Sequence, residues 1–64
     1  MMFRVDNMTS GGCARSVTKT IQKVDPGAEV RIDVDSRSAD VRSQASPEAL
    51  ATALDAAGLP AAAA

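Results

Sequence analysis

One segment of this chain alternates apolar and charged residues strictly enough to constrain the whole fold. The inward-facing set is Ala28, Val30, Ile32 and Val34, and the intervening residues are Glu29, Arg31, Asp33 and Asp35. A period of two with β-branched residues on one side predicts a strand with one buried face. The alternation resumes at residues 39–44 after a turn at Ser36–Ser38, which predicts an antiparallel hairpin whose other face, with Arg31, Asp33 and Arg42, lies in water.

A helical period precedes the hairpin. Apolar residues at three- and four-residue steps are predicted to share the buried helix face, namely Ala14, Val17, Ile21 and Val24. The helix is predicted from Cys13 to Val24, about three turns. Asp25–Gly27 ends it, because a residue before proline disfavours helical geometry and glycine accepts a turn. Residues 7–12 before it are small and turn-forming, which predicts a loop.

A second helix is predicted after the hairpin. Ser46 suits the N-cap, Pro47 the first helical position and Glu48 the positive helix end, while Gly58 fits the position just past the last turn. Its predicted apolar face is formed by Leu50, Ala53, Leu54 and Ala57.

Two short strands complete the predicted order. Phe3–Asp6 alternates apolar and polar residues, and residues 59–64 can form a last short strand, which Pro60 restricts to an edge. The order strand, helix, strand, strand, helix, strand is that of an α+β, ferredoxin-like β-α-β-β-α-β sandwich, with a four-stranded antiparallel sheet and two helices on one face. A chain of 64 residues has room for one domain, here residues 1–64.

The composition argues against several classes of function. The net charge is -1, and Trp and Tyr are absent, so neither a basic stripe nor stacking platforms are available for nucleic acid. No apolar run is long enough to span a bilayer, and the start lacks the features of a secretory signal, so we expect a cytoplasmic protein without membrane insertion. Histidine is absent and a single cysteine excludes an intramolecular disulfide. We expect no enzyme activity.

Cys13 is the residue with the most distinctive chemistry. It lies where a glycine-rich loop meets the first helix, so unpaired backbone N–H groups and the positive helix end are expected to lower the pKa of its thiol. Simple packing is an alternative explanation, since free cysteine is among the most buried residue types. Position alone does not decide between a reactive and a structural thiol.

The segment Asn7-Met8-Thr9-Ser10-Gly11-Gly12-Cys13 resembles the G-M-T-C-x-x-C loop of heavy-metal-associated domains, the family of copper chaperones and of N-terminal modules of copper-transporting P-type ATPases. The resemblance extends to Val24–Gly27 and to Ala56–Pro60, which is similar to the A-G-Y-P ending of the family. It implies Cu(I) binding by the loop, with Met8 packed inward as loop support. Leu59 occupies a position where bacterial members often have tyrosine, and it either shields Cys13 or fills a gap.

The chain departs from the family pattern at the first metal-binding cysteine. That position is Ser10, and the usual glycine before the methionine is Asn7, so only Cys13 carries over as a ligand. A serine hydroxyl is a poor match for Cu(I), and Ser10 is better suited to capping the helix through the N–H of Gly12 or Cys13. A second sulfur would come from glutathione or from Cys13 of a second copy in a metal-bridged homodimer.

Arg15, Lys19 and Lys23 form a basic ridge that begins near the loop. In copper chaperones a similar ridge docks on acidic metal-accepting domains, so the resemblance implies a partner such as a copper-transporting P-type ATPase. An ordinary solvated helix face is the alternative explanation of this charge row.

Three functions follow from these residues. The leading one is a carrier that binds a soft metal, Cu(I), through the Cys13 thiolate and passes it on by ligand exchange. The second is a redox-responsive thiol that forms a mixed disulfide. The third is an interaction module that has lost metal, for which the serine at position 10 is the main argument.

Overall fold

The elements of the chain follow the predicted order. The computed structural model describes residues 1–63, so Ala64 of the predicted last strand lies outside the described residues. The elements are β1 (Met2–Val5), α1 (Gly11–Val24), β2 (Glu29–Asp33), β3 (Ser38–Arg42), α2 (Pro47–Ala56) and β4 (Ala61–Ala63). The strands form one antiparallel sheet in the order β2-β3-β1-β4, with β2 and β4 at its edges. The ferredoxin-like fold is confirmed.

The core lies between the sheet and the two helices. The sheet contributes Phe3, Val5, Ala39 and Val41, and the helices contribute Val17, Ile21, Leu50 and Leu54, all buried. Burying a Val, Leu, Ile or Phe side chain of this kind stabilises the fold by roughly 1.5–3 kcal/mol. Both helices pack on the same side of the sheet, where Val17 and Ile21 hold α1 in the common core. Neither helix in residues 1–63 has the length and apolar character needed to cross a bilayer.

The other face of the sheet carries charges of alternating sign. Glu29 lies opposite Arg42 and Arg31 lies opposite Asp40 in the β2–β3 pairing, and all four residues are exposed. Opposite charges on facing strand positions stabilise a sheet modestly. The predicted exposure of Arg31, Asp33 and Arg42 is confirmed.

The ends of α2 agree with the predicted signals. The Ser46 hydroxyl accepts a hydrogen bond from the Ala49 N–H (3.1 Å), and Pro47 is the first helical residue. At the other end Gly58 has φ +78°, its N–H donates to the Asp55 carbonyl (3.0 Å), and the Leu59 N–H donates to the Leu54 carbonyl (2.9 Å). This is a Schellman motif, in which the residue after the glycine packs against the last helical turn. It therefore positions Leu59 in the core.

Several predicted boundaries were wrong by one or two residues. α1 begins at Gly11 rather than Cys13, so part of the predicted loop is the first helical turn. β2 ends at Asp33 rather than at residue 35 because the Asp33 carboxylate accepts hydrogen bonds from the N–H groups of Asp35 (3.1 Å) and Ser36 (3.4 Å), which turn the chain. The last residue of α1, Val24, is 41% exposed although its spacing predicted burial.

Asp25 fastens the end of α1 to the loop after β3. One carboxylate oxygen accepts from the Ser43 hydroxyl (2.7 Å) and the Gln44 N–H (3.2 Å), and the other accepts from the Gly27 N–H (3.0 Å). These hydrogen bonds, that of Ser43 above all, lower the pKa of Asp25 below its ordinary value of 3.8. We refer to this group as the Asp25 clasp.

The Asp25 clasp is expected to make stability depend on pH. Since the carboxyl pKa is lower in the folded chain than in the unfolded one, the ionised clasp stabilises the fold above pH 3.8, and this contribution is lost as the pH falls through the folded-state pKa. We expect Asp25→Asn to be less stable than the parent at neutral pH, with the difference narrowing in acid. Urea unfolding midpoints across this range measure the effect. A difference that is the same at neutral and acidic pH would contradict the assignment.

Candidate functional site

Met8 anchors the loop between β1 and α1. Its side chain is fully buried, and its N–H donates to the Val5 carbonyl (3.0 Å). Met8 belongs to the same buried cluster as Phe3 and Leu54. The position is that of a packing residue beneath the loop.

Ser10 and Cys13 face each other across the first turn of α1. Ser10 has extended backbone geometry (φ −151°, ψ 167°) and is the N-cap of the helix. Its hydroxyl oxygen lies 3.4 Å from the Cys13 backbone nitrogen, from which it accepts, and 3.6 Å from the Cys13 Sγ, to which it can donate. Cys13 is a free, half-buried thiol that packs against the edge of the core. One hydroxyl thus contacts both the backbone and the side chain of the cysteine.

The surroundings of Cys13 favour its thiolate. The hydrogen bond from the Ser10 hydroxyl is the largest cause that lowers the pKa of Cys13, backbone hydrogen bonds at Thr9 and Ser10 lower it further, and partial burial opposes them. The first turn of α1 contains no acidic residue. The positive end of the helix therefore acts on the thiolate without a competing negative side chain in that turn.

The donor set limits the metals that the loop can hold. Within residues 1–63 no three or more Cys, Asp or Glu side chains are placed to share one ion, and the sequence has no histidine. A structural, tetrahedral zinc site takes four such ligands from the protein, and even a catalytic one takes three. A single thiolate suits a soft ion of low coordination number whose other ligand comes from outside the chain.

Leu59 is 7% exposed and lies in the same core against which Cys13 packs. Its place in the core follows from the Schellman motif at the end of α2. Whether Leu59 shields the thiol stays a prediction.

The residues Arg15, Lys19 and Lys23 are all exposed on α1. The ion pairs among residues 1–63 join the N-terminal amine to Asp40 (3.9 Å) and Arg4 to Asp6 (2.8 Å), so none of them involves this ridge. Its charges are therefore free to meet an acidic surface or to remain in water.

The contact from the Ser10 hydroxyl to the thiol was not predicted from the sequence, which indicated only the cap. The spacing of Ser10 and Cys13 in the sequence could have indicated it, since an N-cap residue and the third helical residue lie next to each other. A cysteine at that third position brings its sulfur close to the capping oxygen.

Comparison with known proteins decides the family. The sequence model described as the heavy-metal-associated domain matches residues 2–59. The chain belongs to the heavy-metal-associated domain family. The resemblance to this family is thereby confirmed, and metal binding and trafficking is the functional class that the family supports.

Solved structures agree with the family. A crystal structure described as a gold binding protein is 48% identical to this heavy-metal-associated domain, with a TM-score of 0.93 over 95% of this chain and 94% of the other. The copper chaperone Atx1 from Synechocystis PCC6803, in a trimeric form, is 31% identical, with a TM-score of 0.93 over 97% and 98%. Agrobacterium tumefaciens Atu1203 is 35% identical, with a TM-score of 0.85 over 94% of both chains. The search of curated proteins found no match.

Proposed function

We propose that this heavy-metal-associated domain is a one-cysteine carrier of Cu(I). Cys13 binds the ion as a thiolate, and a second thiol, from glutathione or from Cys13 of a second copy, completes a two-sulfur site. The observation that supports this most is the Ser10 hydroxyl within 3.6 Å of the Cys13 Sγ at the start of α1, where hydrogen bonds, that of Ser10 above all, lower the pKa of the thiol. The carrier is non-enzymatic and works in the reducing cytoplasm, where a free thiol persists.

Sulfur chemistry restricts the cargo to soft ions. Thiolates select Cu(I) over hard cations such as Mg²⁺ and Ca²⁺, and a serine hydroxyl adds little to that affinity. The similar structure described as a gold binding protein supports a soft metal ion as the class of cargo. Because each chain supplies one ligand, each chain loses a single metal–sulfur bond when the ion leaves, which suits transfer.

The basic ridge favours docking of an acidic partner along α1. Arg15, Lys19 and Lys23 point into water on the helix that carries Cys13, so an acidic metal-accepting domain, such as one of a copper-transporting P-type ATPase, would approach along α1. Such charge complementarity raises association rates more than it raises affinity.

A redox-responsive thiol is the second candidate, and the lowered pKa of Cys13 favours it as well. In that case the Cys13 thiolate attacks one sulfur of a low-molecular-weight disulfide. A mixed disulfide forms at Cys13, and the other sulfur leaves as a thiolate. A metal-free interaction module is the third candidate, supported by the serine at position 10.

An anaerobic Cu(I) titration against a competing chelator tests the proposal. The parent chain and Cys13→Ser are compared with and without glutathione while molecular mass is followed. We expect the parent to compete for copper only when a second thiol is available, either as a glutathione complex or as a dimer of two chains. Cys13→Ser is expected to add nothing to the copper competition that the buffer or glutathione alone gives.

Absence of copper competition by the parent in both conditions would overturn the proposal. Formation of a glutathione mixed disulfide at Cys13 in the same samples under oxidising conditions would then favour the redox function. A parent and a Cys13→Ser variant that behave alike in every assay would favour the interaction module.

A further inference from the structure

The face of the sheet that the helices leave uncovered carries four charged residues in a checkerboard. β2 and β3 pair so that Glu29 lies opposite Arg42 and Arg31 lies opposite Asp40. Because residues two apart on a strand share one face, the sign of the charge alternates along each strand as well as between the strands. All four residues are exposed. We refer to them as the charge quartet.

The charge quartet is not closed by ion pairs within its own chain. Among residues 1–63 the ion pairs join Arg4 to Asp6 (2.8 Å) and the N-terminal amine to Asp40 (3.9 Å), so neither Arg31 nor Arg42 takes part in one. A shallow cleft of about 120 Å³ lies between the four side chains, which is room for a few water molecules. The two guanidinium groups are therefore available to carboxylates from outside the chain.

A checkerboard of charges is complementary to a second copy of itself. Suppose that two sheets meet face to face about a two-fold axis parallel to the strands, between β2 and β3. Glu29 of each chain then meets Arg42 of the other, and Arg31 meets Asp40. A two-fold axis across the strands is equally complementary, whereas a diagonal axis, which crosses the strands at right angles, brings like charges together. Charge therefore favours an isologous contact with aligned strands.

The area of this face limits the strength of such a contact. The sheet has four strands of up to five residues. With strands about 4.8 Å apart and a rise of about 3.3 Å per residue, it offers roughly 300 Å² per chain. Stable complexes bury about 1,200–2,000 Å² in total, so two chains joined here would associate weakly. The helices lie on the other side of the sheet, so the contact leaves Cys13 on α1 free.

We propose that the charge quartet is a self-recognition surface through which two chains associate weakly, sheet against sheet. This dimer needs neither metal nor Cys13. It is separate from a dimer bridged by a metal ion and does not depend on the proposed function.

Sedimentation equilibrium of metal-free Cys13→Ser tests this dimer, since that variant can form neither a disulfide nor a thiolate-bridged pair. At low ionic strength we expect a dissociation constant of about 0.1–1 mM. Raising the ionic strength from about 0.01 M to about 1 M shortens the Debye length from about 30 Å to about 3 Å and is expected to weaken the dimer at least about tenfold. A chain that stays monomeric at about 1 mM and low ionic strength, or a dimer that salt does not weaken, would overturn the proposal.

Charge exchange within the quartet tests the contact itself, in the same Cys13→Ser chain. Glu29→Arg with Asp40→Arg makes the quartet wholly positive, and Arg31→Glu with Arg42→Glu makes it wholly negative. We expect each variant to be monomeric alone, because like charges then face each other. An equimolar mixture is expected to form a heterodimer tighter than the dimer of the parent quartet.

The matched control places the same added positive charge on α2, through Glu48→Arg with Asp55→Arg, both at exposed positions. Mixed with the wholly negative variant, it is expected to give no heterodimer, and circular dichroism checks that every variant is folded. A mixture of the two quartet variants that stays monomeric would contradict self-recognition by this face. So would an equally tight complex with the control, because net charge alone would then drive the association.

Discussion

Replacing Ser10 by cysteine is expected to tighten Cu(I) binding by about 10²–10⁴-fold, because the second thiolate then belongs to the same chain and acts at a high effective concentration. The geometry favours this gain. The Ser10 hydroxyl oxygen lies 3.6 Å from the Cys13 Sγ, and two metal–thiolate bonds of about 2.3 Å each, the length found for zinc, span up to about 4.6 Å. A single ion can therefore bridge sulfurs at both positions.

The affinity of Ser10→Cys is measured by anaerobic competition with a Cu(I) chelator, with a phosphine present to prevent a disulfide. We also expect its affinity to become independent of glutathione. Ser10→Ala is the control, since it removes the cap without adding a ligand and costs about 1 kcal/mol of stability. An unchanged affinity in Ser10→Cys would show that positions 10 and 13 do not converge on one ion.

Met8→Ala is expected to lower the free energy of unfolding by about 2–5 kcal/mol, as other truncations of a buried methionine do. The side chain is fully buried beneath the loop, and its loss leaves a cavity within the cluster of Phe3 and Leu54. A core in a domain of this size rarely supplies more than about 3–5 kcal/mol. We therefore expect much of the Met8→Ala chain to be unfolded at 37 °C, as measured by urea denaturation and circular dichroism.

Met8→Leu separates packing from metal binding. Leucine has nearly the same volume, so this variant is expected to lose less than about 1.5 kcal/mol of stability, and it has no sulfur. If Met8 only supports the loop, Met8→Leu binds copper as the parent does. A folded Met8→Leu chain with much weaker copper binding would make Met8 a ligand.

The parts of the fold that follow from local signals were predicted well. Both ends of α2 were predicted from the residues that flank it. The Ser46 cap, Pro47 and Gly58 each act on their own neighbours in the chain. The β2–β3 hairpin was predicted because alternation reports directly on a half-buried sheet. These features depend on residues a few positions apart.

The start of α1 was predicted too late because glycine is a poor helix former, and its sequence signal is that of a loop. Ser10 decides the boundary by accepting from the Cys13 N–H, so Gly11 and Gly12 become helical. The Asp25 clasp was missed for a different reason. Its partner Ser43 is 18 residues away, and the pairing depends on how the hairpin returns beside α1, which no local pattern contains.

The candidate site depended on the family resemblance. The residues alone did not decide whether Cys13 is a reactive thiol or a packed one. In the structure it is half-buried, which is compatible with both. The match to the heavy-metal-associated domain confirms the family, whereas metal binding by Cys13 and the roles of Leu59 and the basic ridge stay predictions.

The two edges of the sheet differ in how they resist pairing with another chain. The exposed positions of β2 carry Glu29, Arg31 and Asp33, and charged side chains along an edge discourage the addition of a further strand. β4 consists of Ala61–Ala63, whose small uncharged side chains give no such protection. We therefore expect aggregation through strand addition in concentrated solution to begin at β4, and Ala62→Lys to improve solubility without changing the loop between β1 and α1.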